Sequence, residues 1–341
     1  MNNDAVDTRR LLYLRELARY GSMRVVAEHL SVTTSTVSQQ ISSLAQELGV
    51  ALTEPDGRRI RLTPAGRRLA EHAVTILAAV DAARLDLDPA AEPAGALRVA
   101  GFATAVRRSL LPIYAGLTQR YPRLRLLIHE HEPAEALALL NNNTVDLALV
   151  YDYNLAPVAF DEAVDVIPIW SAQWSLGVPG PVPHEPGVDS TVIFAGYRDA
   201  DWIVNSRNTA DETVVRTIAS MAGFEPRITH HVDSLDLVTD LIRAGLGVGM
   251  LPTGFPTRTG VLMLPLSNPA VTLRAYAVNR RGQDAWAPLA LVLHHVSGRP
   301  PMANANPAPT IPDRRITSAH RTTRAGRETV GGRSVSKLVA K

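Results

Sequence analysis

The chain has 341 residues, of which 46% are hydrophobic and 20% charged, and its formal net charge is +2. This length exceeds what one compact core requires and fits two or three domains plus a tail. The sequence contains no cysteine, which excludes disulfides and thiolate metal or redox sites and favours a cytoplasmic protein. No apolar run is long enough to span a membrane, and the polar start of the chain lacks the apolar stretch of a secretory signal.

Three short helices are predicted over residues 8–48. The first has an apolar face made of Leu11, Leu14, Leu17 and Ala18. Gly21 ends this helix, and Ser22 is placed to cap a second helix that runs to about Leu30. The third helix carries an apolar stripe at spacings of 4, 3 and 4 residues, formed by Val37, Ile41, Leu44 and Leu48. The order and lengths predict a helix-turn-helix.

The other face of the third helix is polar, uncharged and built from short side chains. We call this the recognition face, and it consists of Thr34, Ser35, Ser38, Gln39, Ser42 and Ser43. Hydroxyls and amides can bond base edges or phosphates, whereas a carboxylate would be repelled by the DNA backbone. The alternative is a solvated face of a small helical bundle, which would usually carry Glu and Lys. The composition favours DNA contact, and we include Ser22 and Thr33 in the predicted contact surface.

An arginine-rich turn follows the third helix. Asp56 and Gly57 favour a hairpin turn, and five arginines with no intervening acid lie between positions 58 and 68. Alone, this stretch would indicate only an exposed turn. Directly after a helix-turn-helix it predicts the wing of a winged helix, in which Arg58, Arg59 and Arg61 reach phosphates or a minor groove.

A longer helix is predicted over residues 64–88, with Thr63 as its N-cap and Pro64 at its first position. Apolar residues recur along it in a heptad pattern that we call the linker seam: Leu69, Ala73, Ile76, Val80, Ala83 and Leu87. Such a pattern suits a partner helix from a second copy, and two copies would contact two DNA half-sites. A helix packed on its own domain remains the alternative. The residues from Asp88 to Gly95 indicate a linker.

From Ala96 to about Ser297, short β-branched runs alternate with helical patterns, which predicts α/β units around parallel sheets. Strands are predicted over 97–101, 124–128, 145–151, 164–170, 202–205, 227–232, 248–252 and 273–278, with helices over 134–140, 212–222, 235–244 and 285–296. From Arg299 to the last residue the chain carries nine basic residues against Asp313 and Glu328 and has almost no apolar periodicity. This segment is predicted to be a disordered basic tail that has no role or adds unspecific DNA affinity.

The N-terminal pattern resembles the DNA-binding part of the LysR-type transcriptional regulators. The matching positions are Gly21-Ser22, Ala27, Leu30, Val32, Val37-Ser38, Gln40-Ile41, Leu44, Glu47-Leu48-Gly49-Val50 and Leu62-Thr63-Pro64-Ala65-Gly66. Two positions depart from the family. Thr34-Ser35-Thr36 stands where Gln-Pro-Ala is frequent, and Leu52-Thr53-Glu54 stands where Leu-Phe-Glu is common. The first departure bears on which operator sequence is bound, not on DNA binding itself.

The later part of the chain is similar to the effector-binding half of the same family. The matching stretches are 95–100, 111–112, 121–122, 143–150 and 244–252, whereas residues 171–200 match poorly. The resemblance implies a mixed fold: a winged helix-turn-helix over 1–66, a linker and dimerisation helix with a hinge over 67–94, and a two-lobed α/β domain like the periplasmic binding proteins over 95–298. Residues 299–341, the tail, have no counterpart in the family.

The resemblance also implies partners. They are double-stranded DNA, a second copy of the chain in a homodimer or homotetramer, an unidentified small-molecule effector, and RNA polymerase. Such a regulator works in the cytoplasm, on the nucleoid, and needs no cofactor.

In two-lobed α/β proteins, ligands occupy the cleft between the lobes, where helix N-termini and strand ends present free N–H groups. The predicted effector-binding residues are Phe102, Thr104, Tyr151, Asn205, Ser206, Asn208, Thr209, Asp233 and Ser234. Each also has a structural interpretation. Thr209, Asp233 and Ser234 would serve as helix caps, and Tyr151 as a core residue.

Two other classes of function remain as alternatives: a DNA-binding protein without an effector, and an enzyme with a DNA-binding head. The glycines of 245–249 lie after a helix and before a strand, the reverse of a dinucleotide-binding loop. The histidines at 129 and 131, and the pairs at 230–231 and 294–295, lack the helical i, i+4 spacing of a zinc site. No Gly-x-Ser-x-Gly motif is present. These patterns give no catalytic residues and no metal ligands.

Overall fold

The computed structural model describes residues 7–57, 59–87, 92–181, 187–207, 209–257 and 259–298. Three predictions fall outside these residues: Arg58 in the wing, Asn208 in the cleft, and the tail from residue 299. The backbone of Arg59 is described, but its side chain is not.

The N-terminal domain is a three-helix unit followed by a hairpin and a long helix. The elements are α1 (Thr8–Tyr20), α2 (Met23–His29), α3 (Thr34–Leu48), β1 (Thr53–Asp56), β2 (Arg59–Leu62) and α4 (Pro64–Leu87). Its core is formed by the predicted apolar faces of α1 and α3, which meet through Leu14, Val37 and Ile41. Two expectations are wrong here. Leu48 is 38% exposed because it ends α3 beyond the core, and the Ser22 side chain makes no cap hydrogen bond although it stands at the N-cap of α2.

Tight contacts hold the start of α4 against the segment that precedes the wing. The Thr63 hydroxyl accepts a hydrogen bond from the Gly66 amide at 3.0 Å and donates to the Ala51 carbonyl at 2.7 Å. A Cβ at position 66 would lie 2.1 Å from the carbonyl oxygen of Leu52, so only glycine fits. The predicted N-cap is confirmed, and it fixes where the long helix leaves the domain.

Residues 95–298, which we call the body, alternate strands and helices. The strands are β3 (Gly95–Gly101), β4 (Leu124–Glu130), β5 (Leu147–Tyr153), β6 (Val164–Pro179), β7 (Asp201–Val204), β8 (Arg227–His231), β9 (Val248–Pro252), β10 (Val261–Pro265) and β11 (Val271–Arg280). The helices are α5 (Ala103–Ala105), continued by a π-helical turn (Val106–Leu110), then α6 (Leu111–Arg120), α7 (Pro133–Asn141), α8 (Ser190–Gly196), α9 (Ala210–Met221), α10 (Leu235–Arg243) and α11 (Ala287–Ser297).

The strands form one mixed sheet in the order β4-β3-β5-β11-β6-β9-β7-β8, with β10 paired to β6. The expected parallel pairing is found in two outer groups, β4-β3-β5 and β9-β7-β8. It is wrong for β6, β10 and β11, which pair antiparallel with their neighbours. The reason is that β6, at 16 residues, runs from one group to the other, and β11 returns beside it. We call the β3–β5 group the first lobe and the β7–β9 group the second lobe.

Two elements of the second lobe, α8 and β10, were not predicted from the sequence. The segment between 171 and 200, where the family resemblance is poor, contains the second half of β6 and helix α8. The described residues form no helix that is both long and apolar enough to cross a bilayer.

Candidate DNA interface and effector cleft

The recognition face of α3 points outward. Thr34, Ser35, Gln39 and Ser42 are exposed and Ser38 is half-buried, while Val37, Ile41 and Leu44 are buried on the opposite side. Thr33 caps the helix, because its hydroxyl accepts a hydrogen bond from the Thr36 amide at 3.2 Å. Within the described part of the chain, the side chains of Ser38, Gln39 and Ser42 form no hydrogen bond. The outward hydroxyl and amide groups are therefore available to DNA.

The wing is a tight hairpin that follows α3 along the chain. Asp56 pairs with Arg59 in the β1–β2 register, so the turn lies one residue later than the sequence indicated. Gly57 adopts a φ of +60°, a conformation that favours glycine. Arg61 is an exposed side chain whose Nε lies 3.0 Å from a Glu54 carboxylate oxygen. Its charge is thus partly neutralised on the adjacent strand.

The linker seam does not lie on one uniform surface of α4. Ala73 is fully buried in the core of its own domain, and Leu69 packs against the same core. Ile76 is 39% exposed, Ala83 is exposed, and Leu87 is 85% exposed. The first third of the seam therefore packs within the chain, and the remainder presents apolar side chains outward.

Aromatic side chains fill the space where β3, β5 and β6 end or cross. Phe102 and Tyr151 are both buried, with ring centroids 4.7 Å apart and an edge-to-face arrangement. The contacts continue from Tyr151 to Tyr153 at 5.8 Å and from Tyr153 to Trp174 at 5.4 Å. Trp170 lies 6.1 Å from Phe102. The sequence placed Phe102 and Tyr151 together correctly, but both belong to a continuous aromatic cluster.

A carboxylate that the sequence analysis missed lies on this cluster. The Tyr151 hydroxyl donates to Glu132 Oε2 at 3.0 Å, and only 5% of Glu132 is exposed. Burial raises the pKa of Glu132, although the hydrogen bond from Tyr151 acts in the other direction. Glu132 is the N-cap of α7 and forms a capping box with Glu135. The Glu-Pro-x-Glu pattern at the helix start was the available signal.

Arg207 joins the two lobes. Its Nε lies 2.8 Å from Asp233 of its own lobe, and its terminal nitrogens lie 3.8 Å from Glu130 and 3.7 Å from Glu135 of the first lobe. Burial alone would raise the pKa of Asp233, but hydrogen bonds from Ser206 and Arg207 outweigh it and the pKa is lowered. We call this group the Arg207 bridge. Arg207 was not predicted from the sequence, although it lies between two residues that were.

A second buried carboxyl lies in the first turn of α9. Burial raises the pKa of Asp211 to about 7, and the nearby charges of Glu132 and Asp233 act in the same direction. Burial also raises the pKa of Tyr153 well above its ordinary value. In the cleft the charges of Glu132, Asp211 and Asp233 are close enough to affect one another's pKa values. Arg207 is the neighbouring cation.

The other predicted cleft residues divide between binding and structural positions. Ser206 donates its hydroxyl to Asp233 at 2.6 Å, and Asn205 accepts from the Arg207 amide at 2.9 Å, so both support the Arg207 bridge. Ser234 caps α10 by accepting from the Leu237 amide at 3.4 Å, which confirms its structural interpretation. Thr209 stands at the N-cap of α9 with its side chain exposed and without a cap hydrogen bond. Thr104 is half-buried in α5.

Over the described ranges, no group of three or more His, Cys, Asp or Glu side chains is arranged to hold a metal ion. Of the three cleft carboxyls, Glu132 accepts a hydrogen bond from Tyr151, Asp233 pairs with Arg207, and Asp211 is buried.

Comparison with known families agrees with both halves of this architecture. Residues 8–67 match the family described as "Bacterial regulatory helix-turn-helix protein, lysR family". Residues 90–298, more than half of the chain, match the "LysR substrate binding domain".

Individual proteins give the same result. The "Transcriptional dual regulator GltC" of Bacillus subtilis (strain 168) is 28% identical over 248 residues, which cover 72% of this chain and 81% of that protein. A protein of Mycobacterium xenopi named "Probable hydrogen peroxide-inducible genes activator" is 35% identical over 165 residues, covering 48% and 83%.

Among solved structures, full-length OxyR C199D from Pseudomonas aeruginosa has a TM-score of 0.64 at 19% identity, covering 86% of this chain and 98% of that one. This similarity establishes the shared fold. The proteins to which the chain is similar in sequence are transcriptional regulators, not enzymes. The helix-turn-helix match precedes the substrate-binding match along the chain, as the helix-turn-helix unit precedes the two-lobed body in the structure. The chain therefore belongs to the LysR family of DNA-binding, effector-responsive transcriptional regulators.

Proposed function

We propose that the chain binds operator DNA through the recognition face of α3, with the wing arginines Arg59 and Arg61 on the adjacent backbone. The observation that carries this is the outward orientation of α3's uncharged hydroxyl and amide groups. A face of this kind suits a major groove, where short donors and acceptors reach base edges. Ser22 at the start of α2 and Thr33 at the start of α3 would contact phosphates. Arg58, which lies outside the described residues, is also predicted to contact DNA.

The DNA-bound form is a dimer through α4. Its exposed apolar side chains Ile76, Ala83 and Leu87, together with half-buried Val80, support this assignment. Because Ala73 and Leu69 pack within their own domain, the pairing of two copies involves the later two thirds of the helix. Two such dimers would give the tetramer that the family resemblance allows.

A small molecule in the cleft between the lobes is the proposed signal. Its contacts would be Phe102, Tyr151, Glu132, Arg207 and Asp211, with Asn205, Ser206 and Asp233 in support. A ligand that favours one arrangement of the lobes shifts the population of DNA-binding forms. These 341 residues contain no cysteine, so oxidation of a thiol by peroxide is not the signal within them.

Several broader assignments follow from this role. Residues 1–66 would bind DNA, residues 67–94 would dimerise and flex, and residues 95–298 would sense the effector. A regulator of this kind acts in the cytoplasm, on the nucleoid, and alters transcription through RNA polymerase.

The test is a gel-shift titration at several salt concentrations, using DNA from upstream of the chain's own coding region. We expect binding to that DNA to exceed binding to unrelated DNA by about 1,000-fold or more. Affinity should fall steeply with salt, by about 0.9 logarithmic units per phosphate contact and per tenfold change in salt. Equal affinity for both DNAs would contradict the proposal.

A further inference from the structure

A cavity of about 590 Å³ lies where the N-terminal domain meets the body. Its wall includes Arg15 and Arg19 of α1, Asp81 of α4, and Arg98 and Arg125 on strands β3 and β4. None of the described residues that line it belongs to the interlobe cleft. The volume falls within the range of about 300 to 1,000 Å³ that small-molecule sites occupy.

The wall carries excess positive charge. Among the described lining residues there are five arginines but only three carboxylates, which are Glu16, Asp81 and Asp146. Asp146 is taken by Arg98, which donates to both of its oxygens at 2.9 Å. The remaining two acids are likewise occupied. Glu16 accepts from Arg15 at 2.6 Å and lies 3.5 Å from Arg19, and Asp81 lies 3.4 Å from Arg84.

Two arginines of the body keep uncompensated charge at this wall. Arg280 donates to the carbonyls of Leu140 and Val145 and, within the described residues, has no carboxylate in ion-pair distance. Burial lowers the pKa of Arg280 to about 10. The negative charge of Asp146 raises this pKa, and the positive charges of Arg98 and Arg15 lower it further. Arg125 is exposed and has no ion pair in the same part of the chain. An anion in the cavity would compensate both.

The wall also contains polar groups without partners. Asn143 is 8% exposed and Gln283 is 4% exposed, and the side-chain oxygen of each makes no hydrogen bond. Buried amide oxygens are nearly always satisfied in folded proteins, by protein or by a bound molecule. A ligand with hydroxyl groups as well as negative charge would satisfy these oxygens once the wall adjusts to it.

We propose that this junction cavity is a second ligand site, which binds a small hydroxylated anion bearing carboxylate or phosphate. The ligand would contact Arg15 and Arg19 from the DNA-binding domain and Arg125 and Arg280 from the body. Because it touches both parts, it binds one relative arrangement of them more tightly than others. By linkage, its occupancy then changes DNA affinity, independently of any effector in the cleft.

Calorimetric titration of the full chain tests the site with citrate, glucose 6-phosphate, inorganic phosphate and glucose as probes. We expect citrate or glucose 6-phosphate to bind saturably, and the one that does identifies carboxylate or phosphate as the anionic group. Inorganic phosphate should bind about tenfold more weakly, and glucose should not bind below about 10 mM. Arg125→Gln, on the body side, and Arg19→Gln, on the α1 side, should each raise the Kd about tenfold, the effect of losing one charged hydrogen bond.

Matched variants separate this site from general attraction of anions. Arg123→Gln is the control for Arg125→Gln: it removes an exposed arginine that is two residues from Arg125 and does not line the cavity. Arg24→Gln is the control for Arg19→Gln, because Arg24 is an exposed arginine of α2 that does not line the cavity either. Both should leave the Kd unchanged. No saturable binding of either anion, or equal weakening by the control variants, would overturn the proposal. Weakening by Arg207→Gln alone would place the anion in the cleft and overturn it as well.

Discussion

The outward surfaces of the N-terminal domain and the space between the two lobes differ in what already occupies them. On α3 the side chains of Ser38, Gln39 and Ser42, which are proposed to bind DNA, make no hydrogen bond among the described residues and lie on the side opposite the core. In the cleft, Tyr151 donates to Glu132, and Arg207 contacts three carboxylates from two lobes. The DNA surface therefore needs no rearrangement to act. An effector must instead replace contacts that the cleft makes with itself.

This difference has an energetic consequence. Partly exposed ion pairs each contribute about 0.2 to 1 kcal/mol, so the Arg207 bridge is weak enough for a ligand to displace. A ligand that does so gains the buried aromatic cluster and the carboxyls of Glu132 and Asp211 as its surroundings. The cleft can thus change between a state with the Arg207 bridge and a state in which a ligand has displaced it, whereas α3 keeps one conformation.

The largest expected effect is on dimerisation through the exposed apolar side chains of α4. Ile76→Asp places a charge where an apolar partner helix would pack, and burying an unpaired charge costs several kcal/mol. The dimer dissociation constant should rise by about 1,000-fold or more, and sedimentation velocity should show monomers.

Glu71→Lys serves as its control, because residue 71 is exposed and lies about 140° around the helix from residue 76. That variant should remain dimeric. An Ile76→Asp protein that sediments as the parent would show that this part of α4 is not an interface.

The next effect concerns the recognition face. Ser38→Glu adds a carboxylate that phosphates and base acceptors repel, and losing one good base contact costs about 1 to 3 kcal/mol. Affinity for operator DNA should fall by about 100-fold in a gel shift. The milder Ser38→Ala change should cost less.

Gln46→Glu, which adds the same charge at an exposed position near the far end of α3, should have a smaller effect. Both variants should keep the thermal midpoint of the parent, because neither residue is in the core. If Ser38→Glu and Ser38→Ala bind DNA as the parent does, the recognition face lies elsewhere.

The two regions also differ in how far the sequence could predict them. Val37, Ile41 and Leu44 repeat at helical spacing, so one period determined which side of α3 is buried and which faces out. The Arg207 bridge depends instead on residues from β4, α7 and the segments that follow β7 and β8, and these meet only after β6 carries the chain into the second lobe. No local pattern encodes that meeting, and Arg207 and Glu132 were missed for this reason.

The same reasoning explains the errors in strand direction. Apolar runs indicated where β6 and β11 lie, but periodicity carries no information on whether neighbours run parallel. Ala73 illustrates a second limit of prediction from sequence periodicity. It occupies a position of the heptad pattern that predicted a dimer seam, but it is buried in the core of its own domain. A heptad pattern does not tell whether the partner helix belongs to the same chain or to another.

A smaller effect is expected when the cleft bridge is cut. Arg207→Gln removes contacts between lobes worth about 0.2 to 1 kcal/mol each, so lobe separation should become a few times more frequent. Hydrogen exchange of the backbone amides around residues 132–136 and 205–207 should accelerate about two- to fivefold.

Arg216→Gln is the matched control, since Arg216 pairs with Glu212 and Glu225 of its own lobe. It should leave exchange in the cleft unchanged. Equal exchange rates in parent and Arg207→Gln would show that the bridge does not hold the lobes together.

A different kind of effect, a pH-dependent shift of the thermal midpoint, concerns Asp211. Its folded pKa of about 7 lies above the ordinary value of an aspartate, so the folded state holds a proton that the unfolded state has already released. The stability contributed by this proton is fully present below the ordinary pKa of 3.8 and is lost as the pH rises from there through about 7. Asp211→Asn cannot ionise, so it should be more stable than the parent at pH 8 by about 1 to 3 kcal/mol, which corresponds to roughly 2 to 4 °C per kcal/mol.

At pH 3.5, below the ordinary aspartate pKa of 3.8, the midpoints of the Asp211→Asn protein and the parent should nearly agree, because the carboxyl is then largely protonated in both the folded and the unfolded state. Asp236→Asn, at an exposed carboxyl in the first turn of α10, should show no pH-dependent gain. Calorimetry of the three proteins at the two pH values measures the difference. If Asp211→Asn gains nothing at pH 8, the carboxyl is hydrated in solution, and the cleft is already open without a ligand. That outcome would remove the contrast between an open DNA surface and a closed cleft.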